Sequence, residues 1–403
     1  MKTGTLYLKP KTLYLKPKKE ESLLRFHPWV FSGAVASVEG EPAEGDVVEV
    51  YGSDNRFLGT GHYQAATIMV RILSFKPVAI DLAFWKDSIG RAYELRRSLG
   101  LAGAGTHNTY RLIHGEGDHL PGLIVDVYAQ TAVIQSHSIG MHRDRKRIAA
   151  ALCDVLGDGI RRIYYKSEGT LPARTAPVDE NEYLFGEDCD DAHVAVENGL
   201  KFRIDWMKGQ KTGFFIDQRE NRTLLERYAC GRAVLNMFCY TGGFSVYALR
   251  GGASLVHSVD SSAKAISLTN ENVTLNFPGD SRHEAFAEDA FKFMENIDGR
   301  YDLIILDPPA FAKHKDALRN ALQGYRKLNV IAFKKIRPGG IIFTFSCSQI
   351  VGKTDFRLAV FSAAAQTGRR VRILHQLTQP ADHPVNIYHP EGEYLKGLVL
   401  QVE

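Results

Sequence analysis

The chain has 403 residues, of which 44% are hydrophobic and 24% charged, and its formal net charge is +4. This composition is typical of a globular protein, and the length is too great for one hydrophobic core, so we expect two or three domains. No run of about 18 apolar residues occurs, and the first residues lack the apolar stretch of a signal peptide, so we expect a cytoplasmic protein without a membrane span. Five cysteines with no close pair favour neither a disulfide framework nor a zinc site.

Residues 1–75 are predicted to form a small β-barrel. Short strand-like segments, such as 47–50 and 67–73, alternate there with glycine and asparagine turns. The heptapeptide TLYLKPK occurs twice, at 5–11 and 12–18, and two copies are too few for a repeat fold. The duplication either adds a strand-like arm or makes one copy redundant.

Residues 76–192 are predicted to form a small α+β middle domain. Its expected elements are a helix at 81–99, strands at 122–127 and 131–135, a helix at 143–156 and a strand at 161–166. The acid-rich stretch 180–191 has no apolar period and is predicted to be a loop or a domain boundary.

Residues 193–403 show an alternation of strands and helices, which predicts an α/β, Rossmann-like, doubly wound sheet. The predicted strands are 233–238, 255–259, 282–286, 301–306, 340–345, 371–374 and 398–402. The predicted helices are 244–250, 263–275, 317–335 and 355–365.

Two of these strands end in chemically informative groups. Asp307-Pro308-Pro309 follows the apolar run 301–306, and Ser346-Cys347-Ser348 follows the run 340–345. Such runs indicate strands buried on both faces, and ligands of such sheets bind beyond the carboxyl ends of the strands. An acid fixed by two prolines beside a lone thiol supplies the groups that methyl transfer to a base carbon requires. The alternative for Cys347 is a small buried cysteine at a strand end.

A cofactor site is predicted at the end of the strand 233–238, where glycines precede a helix. Gly242 allows a ligand to approach the backbone closely, and Asp260, at the end of the next strand, can hold ribose hydroxyls. The diphosphate-binding GxGxxG is absent, so an adenosine ligand without a diphosphate fits better than a dinucleotide. Asp289 either accepts from the adenine amino group or caps the helix that follows it.

The order of these strings resembles that of class I S-adenosylmethionine-dependent RNA methyltransferases. More narrowly, it resembles the PUA-containing family that makes 5-methylcytosine in large-subunit ribosomal RNA, the RlmI-like enzymes. The strings that carry the resemblance are His27–Gly33 for the PUA opening, Lys211–Arg222, Asn236–Phe244, Asp260, Asp289, Asp307–Lys313, Ser346-Cys347-Ser348, Asp382-His383-Pro384, Pro390-Glu391 and Tyr394–Gly397. The resemblance covers nearly the whole chain, and the duplicated heptapeptide departs from it.

The resemblance implies S-adenosylmethionine as the cofactor. The implied binding residues are Gln218, Arg219, Tyr240, Gly242, Asp260, Asp289 and Asp307, to which we add their neighbours Phe238, Thr241 and Ser261.

Cys347 is the predicted nucleophile, because C5 of cytosine attacks a methyl group only after a thiolate has added to C6. An ordinary thiol is only a few per cent ionised at pH 7, so a cation has to lower its pKa, and Lys313 and Arg319 are the candidates. The predicted catalytic residues are therefore Cys347, Asp307 and Lys313. Asp382, His383 and Glu391 are candidates for the base that removes the C5 proton, and Cys239 is assigned to packing.

Ribosomal RNA is the expected partner, and we leave open whether the chain forms a homodimer. Between Lys313 and Arg337, eight Lys and Arg residues stand against one acid, Asp316, which favours phosphate contact near the reactive site. The alternative functions are methylation of uridine C5 or of an exocyclic amine, and a non-catalytic RNA-binding or ribosome-assembly factor.

Overall fold

The computed structural model describes residues 11–103, 107–171, 181–312 and 314–403. The chain divides into two compact units. The first contains the residues up to His193 together with Ile204–Gly213 and Ala381–Gly392, and the second contains Val194–Arg203, Phe214–Pro380 and Glu393–Glu403. In the described ranges, no helix combines the length and the apolar character that crossing a membrane requires.

The amino-terminal part of the first unit is a six-stranded sheet in the order β2-β6-β5-β4-β1-β3. Its elements are β1 (Thr12–Leu15), α1 (Glu21–Leu24), β2 (Trp29–Phe31), β3 (Val35–Glu39), β4 (Val47–Tyr51), β5 (Phe57–Tyr63) and β6 (Ile68–Ser74). Residues of β4 alternate between buried and more exposed positions, because successive side chains of a strand point to opposite faces. The second copy of the heptapeptide supplies β1, and all of the first copy except Lys11 lies outside the described residues.

The rest of the first unit is built on a five-stranded sheet in the order β11-β10-β9-β8-β7. Its elements are α2 (Leu82–Ser98), β7 (Thr109–His114), β8 (Leu123–Tyr128), β9 (Thr131–Ser136), α3 (Ile139–Arg143), α4 (Arg145–Leu156), β10 (Arg162–Tyr165) and β11 (Glu182–Phe185). The prediction of a loop at 180–191 was wrong for β11, which pairs with β10. This strand lies at the edge of the sheet and none of its residues is fully buried. It therefore has no apolar pattern by which it could be recognised among the acidic residues.

The second unit contains the predicted doubly wound sheet. Its elements are β12 (Val194–Glu197), β13 (Leu200–Arg203), α5 (Arg219–Ala229), β14 (Ala233–Met237), α6 (Gly243–Arg250), β15 (Leu255–Asp260), α7 (Ala263–Asn276), β16 (His283–Ala287), α8 (Ala290–Asn296), β17 (Leu303–Leu306), α9 (Leu318–Lys335), β18 (Gly340–Ser346), α10 (Lys353–Thr367), β19 (Val371–Leu377) and β20 (Lys396–Val402). The sheet has seven strands in the order β16-β15-β14-β17-β18-β20-β19, and β12 and β13 form a separate hairpin.

Strands β14 to β18 run parallel, whereas β20 is inserted antiparallel between β18 and β19. Every residue of β17 and β18 is buried, as expected for strands covered by helices on both faces. The carboxyl ends of the parallel strands therefore form one edge of the sheet, which we call the reactive edge. The domain boundaries at residues 75 and 192 stay predictions.

Candidate active site

The reactive edge brings Asp307 and Cys347 together. Asp307 directly follows β17 and Cys347 directly follows β18, and these strands are neighbours in register, with Leu306 opposite Thr344. The Cys347 Sγ atom lies 4.0 Å from the carbonyl oxygen of Pro308. Both side chains are partly accessible. The acid and the thiol are thus placed to act on one substrate.

The environment of Cys347 favours the protonated thiol. Burial raises the pKa of Cys347 to about 12, the Asp307 and Asp217 carboxylates add to the rise, and Lys396 opposes it. The Lys396 ammonium donates to the carbonyl oxygens of Ser348 and Val351, at 2.5 and 2.7 Å. Burial also lowers the pKa of Lys396 to about 8. The Cys347 thiol is therefore protonated in the free protein, and its thiolate has to be stabilised during the reaction.

The cation beside Cys347 is Lys396, which is not one of the two cations predicted from the sequence. Lys396 lies opposite Ser346 in the β18–β20 ladder, so the antiparallel insertion of β20 brings it to the reactive edge. Of the two predicted cations, Lys313 lies outside the described residues, and Arg319 is exposed in the first turn of α9.

Asp307 has a carboxyl group that titrates near neutral pH. Burial raises the pKa of Asp307 to about 7, the Asp217 carboxylate acts in the same direction, and Gln218 and Arg222 lower it. The Gln218 Nε2 donates to Asp307 Oδ2 at 3.0 Å, and the Gln218 Oε1 accepts from Asn221 at 2.6 Å. The side chain is therefore oriented, and near pH 7 it can either donate or accept a proton.

Asp217 is a second carboxylate at this site, and it is not among the site residues predicted from the sequence. Its Oδ2 accepts a hydrogen bond from the Tyr394 hydroxyl at 2.7 Å. Its Oδ1 is buried without a hydrogen-bond partner among the described residues. Asp217 belongs to the string 211–222, whereas Tyr394 and Lys396 belong to the string 394–397. Two motifs that are far apart in the sequence thus meet at this site. Asp217 lies inside one of these motifs, and this position is the sequence signal that could have identified it.

The predicted cofactor loop follows β14 in a backbone conformation that suits a bound ligand. Phe238, Tyr240 and Gly242 have φ angles of +59°, +49° and +75°. A Cβ at Gly242 would lie 2.6 Å from the Thr269 Cγ2, so glycine is required there. Asp260 accepts from the backbone amides of Tyr240 and Ser262, at 3.0 and 2.9 Å. The loop and Asp260 are therefore held as one hydrogen-bonded group.

The other predicted cofactor residues differ in accessibility. Arg219 and Thr241 are buried, at 1% and 2% exposure, whereas Ser261 is exposed beside Asp260. Asp289 accepts from the backbone amide of Lys292 at 3.0 Å, so the helix-cap role is confirmed, and contact with adenine stays a prediction. The carboxyl groups of Asp217 and Asp307 suit a cationic sulfonium ligand, and the loop after β14 with Asp260 suits its nucleoside.

A cluster of His27, His389 and Glu391 in the first unit has the residue types of a metal site. The Nε2 atoms of His27 and His389 each lie 3.8 Å from Glu391 Oε2. The His27 Nδ1, however, accepts from the Trp29 amide at 3.2 Å, so the proton of the neutral ring is on Nε2. The His27 Nε2 therefore carries a proton that points towards Glu391. Because a nitrogen that carries a proton has no free lone pair, it cannot bind a cation.

The basic cluster 313–337 extends over a long distance, because most of it belongs to α9. The 18 residues of this helix span about 27 Å, from the end near the reactive edge to the opposite edge of the sheet. Arg319 lies at the first end. Lys335 and Arg337 lie at the other end and donate to the carbonyl oxygens of Ile297 and Gly299. Lys335 and Arg337 therefore lie away from the reactive edge, and contact of the rest of the cluster with phosphate stays a prediction.

Comparison with known proteins agrees with this geometry. Residues 166–393 match the family described as S-adenosylmethionine-dependent methyltransferase, and residues 13–75 match the PUA-like domain. Ribosomal RNA large subunit methyltransferase I from Aeromonas salmonicida is 38% identical over 392 residues, which cover 95% of this chain and 97% of that protein. The protein of the same name from Escherichia coli is 37% identical over 389 residues, with the same coverage.

Two solved methyltransferase structures show the same fold over 97% of this chain and 100% of theirs. One, from Streptococcus mutans, has a TM-score of 0.82 at 23% identity, and the other, a complex with S-adenosylhomocysteine, has a TM-score of 0.83 at 24% identity. The chain belongs to the ribosomal RNA large subunit methyltransferase I family of S-adenosylmethionine-dependent methyltransferases, with a PUA-like domain near its amino terminus.

Proposed function

We propose that this protein transfers a methyl group to C5 of a cytosine in large-subunit ribosomal RNA. The observation that carries the proposal is the thiol of Cys347 beside Asp307 at the reactive edge. The relatives are named for large-subunit ribosomal RNA, and a PUA-like domain suits an RNA substrate. The protein would work in the cytoplasm, as a monomer or a homodimer.

Cys347 would act as the nucleophile. Its thiolate adds to C6 of the base, and the resulting enamine makes C5 nucleophilic. The bound S-adenosylmethionine supplies the methyl group as an electrophilic sulfonium. Lys396 would stabilise the thiolate, since its charge already favours this form. Lys313 stays a predicted catalytic residue.

Asp307 would orient the base. With a pKa of about 7, its carboxyl group can donate to N3 of cytosine while its other oxygen accepts from the exocyclic amine. Uracil carries a proton on N3 and an oxygen at position 4, and a neutral carboxyl group can match it by exchanging the roles of its two oxygens. Asp307 therefore suits the pairing edge of a pyrimidine, and the choice of cytosine rests on the proposed mechanism.

The cofactor would bind along the carboxyl ends of β14, β15, β16 and β17. The proposed binding residues are Gln218, Arg219, Phe238, Tyr240, Thr241, Gly242, Asp260, Ser261, Asp289 and Asp307. Asp260 is suited to the ribose hydroxyls, because its oxygens retain acceptor capacity beyond the two backbone amides that they accept.

An exocyclic amine is a less suitable target. Enzymes that methylate amines place an aromatic ring directly after the Pro-Pro pair, where it stacks on the base, whereas here Ala310 intervenes. The next ring, Phe311, packs against Tyr325 with its centroid 4.7 Å away, and Gly324 lies against it. Phe311 therefore contributes to packing against α9.

The proposal is tested by methylating large-subunit ribosomal RNA with the purified protein and identifying the product by nucleoside mass spectrometry. We expect 5-methylcytidine from the wild type and none from Cys347→Ala, with unchanged cofactor affinity. RNA that carries 5-fluorocytidine at the target should trap the wild type covalently, because fluorine cannot leave as a proton does. A folded Cys347→Ala protein that methylates at the wild-type rate would refute this mechanism.

Phosphate contact by the first part of α9 is tested with two charge reversals. Arg319→Glu should lower the slope of log affinity against log salt by about 1, whereas Lys334→Glu, at the other end of the helix, should leave it unchanged. Equal slopes for both variants and the wild type would assign Arg319 to a solvated surface.

A further inference from the structure

The proposed reaction requires a base in addition to Cys347 and Asp307, because Cys347 is the nucleophile and Asp307 is proposed to hold N3 and the exocyclic amine of the cytosine. After methyl transfer, C5 carries both a proton and the new methyl group, and C6 remains bonded to the Cys347 sulfur. Removal of the proton returns the electron pair to the C5–C6 bond and expels the thiolate. The base must therefore be an unprotonated acceptor that can reach C5.

The candidates from the carboxyl-terminal motif already have partners in the first unit. Asp382 Oδ2 accepts from the Arg111 amide at 3.0 Å, and Asp382 Oδ1 lies 3.1 Å from the Nδ1 of His383. Both side chains are almost completely buried, at 0% and 1% exposure. Glu391 is exposed and lies beside the two histidines described above. These contacts give Asp382, His383 and Glu391 a structural role in the first unit, so none of them is needed as the base.

Asp217 has the geometry that a base requires. The Tyr394 hydroxyl donates to its Oδ2 at 2.7 Å and thereby fixes the plane of the carboxylate. Its Oδ1 is enclosed and accepts no hydrogen bond within the described part of the chain, so its acceptor capacity is unused in the free protein. The ring of Phe215 packs edge-on against Tyr240 of the cofactor loop, with centroids 5.1 Å apart, which holds this segment at the reactive edge.

The charge of Asp217 acts on both catalytic groups. Its charge raises the pKa of Cys347 and the pKa of Asp307. Asp307 is also linked to the neighbouring residue, Gln218, by a hydrogen bond of 3.0 Å. Two nearby carboxyl groups in different environments are the usual arrangement for one acid and one base.

We infer that Asp217 is the base that removes the C5 proton, with Tyr394 as the residue that positions it. This inference rests on the proposed function. The Asp217 Oδ1 accepts the proton from C5, the electrons of the C5–H bond form the C5–C6 double bond, and the C6–S bond breaks with its electron pair on Cys347. The protonated Asp217 keeps its hydrogen bond to Tyr394 and later releases the proton to water.

The test is Asp217→Asn, which keeps the shape and the contact with Tyr394 but removes the basic oxygen. On natural RNA with radiolabelled S-adenosylmethionine, the variant should still form the C6 adduct and transfer the methyl group. Elimination should stall, so a denaturation-resistant protein–RNA complex that carries the label should accumulate, while turnover falls about 100-fold or more. Wild type should accumulate no such complex.

Two further variants complete the test. Asp298→Asn removes an exposed carboxylate from the loop that precedes β17, at the opposite edge of the sheet, and should behave like wild type. Tyr394→Phe should lengthen the lifetime of the adduct less than Asp217→Asn does. This variant also provides the readout if Asp217→Asn does not fold, as judged by circular dichroism.

The outcomes separate this inference from the proposed function. If wild type fails to trap on 5-fluorocytidine RNA, the proposed function itself is wrong. If wild type traps but Asp217→Asn loses turnover without accumulating a labelled adduct, only the role of Asp217 is refuted. A tenfold loss of S-adenosylmethionine affinity in Asp217→Asn, with no adduct, would make Asp217 a ligand of the cofactor ammonium group instead.

Discussion

Replacement of Asp307 by asparagine should make Cys347 more reactive towards an alkylating reagent, although it should abolish methyl transfer. The thiolate is the form that reacts, and burial together with the Asp307 and Asp217 charges raises the pKa of Cys347 to about 12. Asp307→Asn removes one of these charges and keeps an oxygen to accept from Gln218. The pKa of Cys347 should therefore fall, and its thiolate fraction should rise.

The size of the effect should depend on pH, because Asp307 itself titrates with a pKa of about 7. At about pH 8.5 nearly all Asp307 is ionised, and at about pH 5.5 nearly all of it is neutral. At an effective dielectric constant of about 20, two charges 4 Å apart interact by about 4 kcal/mol, and the energy falls as the distance grows. An acceleration of about tenfold, or about 1.4 kcal/mol, is therefore a conservative expectation at pH 8.5, with a ratio near 1 at pH 5.5.

The assay is the rate of iodoacetamide labelling at Cys347, measured by peptide mass spectrometry across this pH range. The exposed Cys230 of the same chain reports the activity of the reagent, and Asp298→Asn serves as the control for loss of a remote carboxylate. Equal labelling rates for Asp307→Asn and wild type at pH 8.5, or a slower rate in the variant, would refute the coupling between Asp307 and Cys347.

Three other variants test the architecture around the site. Glu197→Gln should lower the free energy of unfolding by about 3 to 5 kcal/mol in chemical denaturation, because Glu197 forms a buried, bidentate ion pair with Arg222; an unchanged midpoint would contradict this. Gly242→Ala should weaken S-adenosylmethionine binding by about tenfold in calorimetry, because the new Cβ would clash with Thr269 at a positive φ; equal affinity would show that the loop can adapt. Asp260→Ala should weaken the same binding by about 1 to 3 kcal/mol, and an unchanged dissociation constant would remove Asp260 from the cofactor site.

The buried strands of the second unit were predictable because each is a short apolar run bounded by glycine, proline or acidic residues. The predicted strand 340–345 corresponds to β18 at Gly340–Ser346, and the predicted helix 263–275 corresponds to α7 at Ala263–Asn276. The helix α5 was missed because its buried positions include Arg219, Asn221 and Arg222. A helix that buries polar groups through hydrogen bonds has no apolar period to detect.

The site was only partly predictable for a similar reason. Asp307 and Cys347 lie at the ends of neighbouring parallel strands, a relation that follows from strand and helix alternation alone. The role of Lys396 depends on the antiparallel insertion of β20 between β18 and β19, which no local pattern encodes. Asp217 lies in the loop before α5, and its hydrogen bond to Tyr394 joins residues 177 positions apart.

The assignment of residues 381–392 to the first unit affects how this chain is synthesised. The Arg96 guanidinium, which is fully buried, donates to the carbonyl oxygen of Asp382 at 2.7 Å across 286 residues of sequence. At about 5 to 20 residues per second, the ribosome needs about 15 to 60 s to reach Asp382 after it has added Arg96. The first unit therefore cannot complete its hydrogen bonds until residue 382 has been translated, and a premature stop codon before residue 381 would damage the part of the protein that was made earlier.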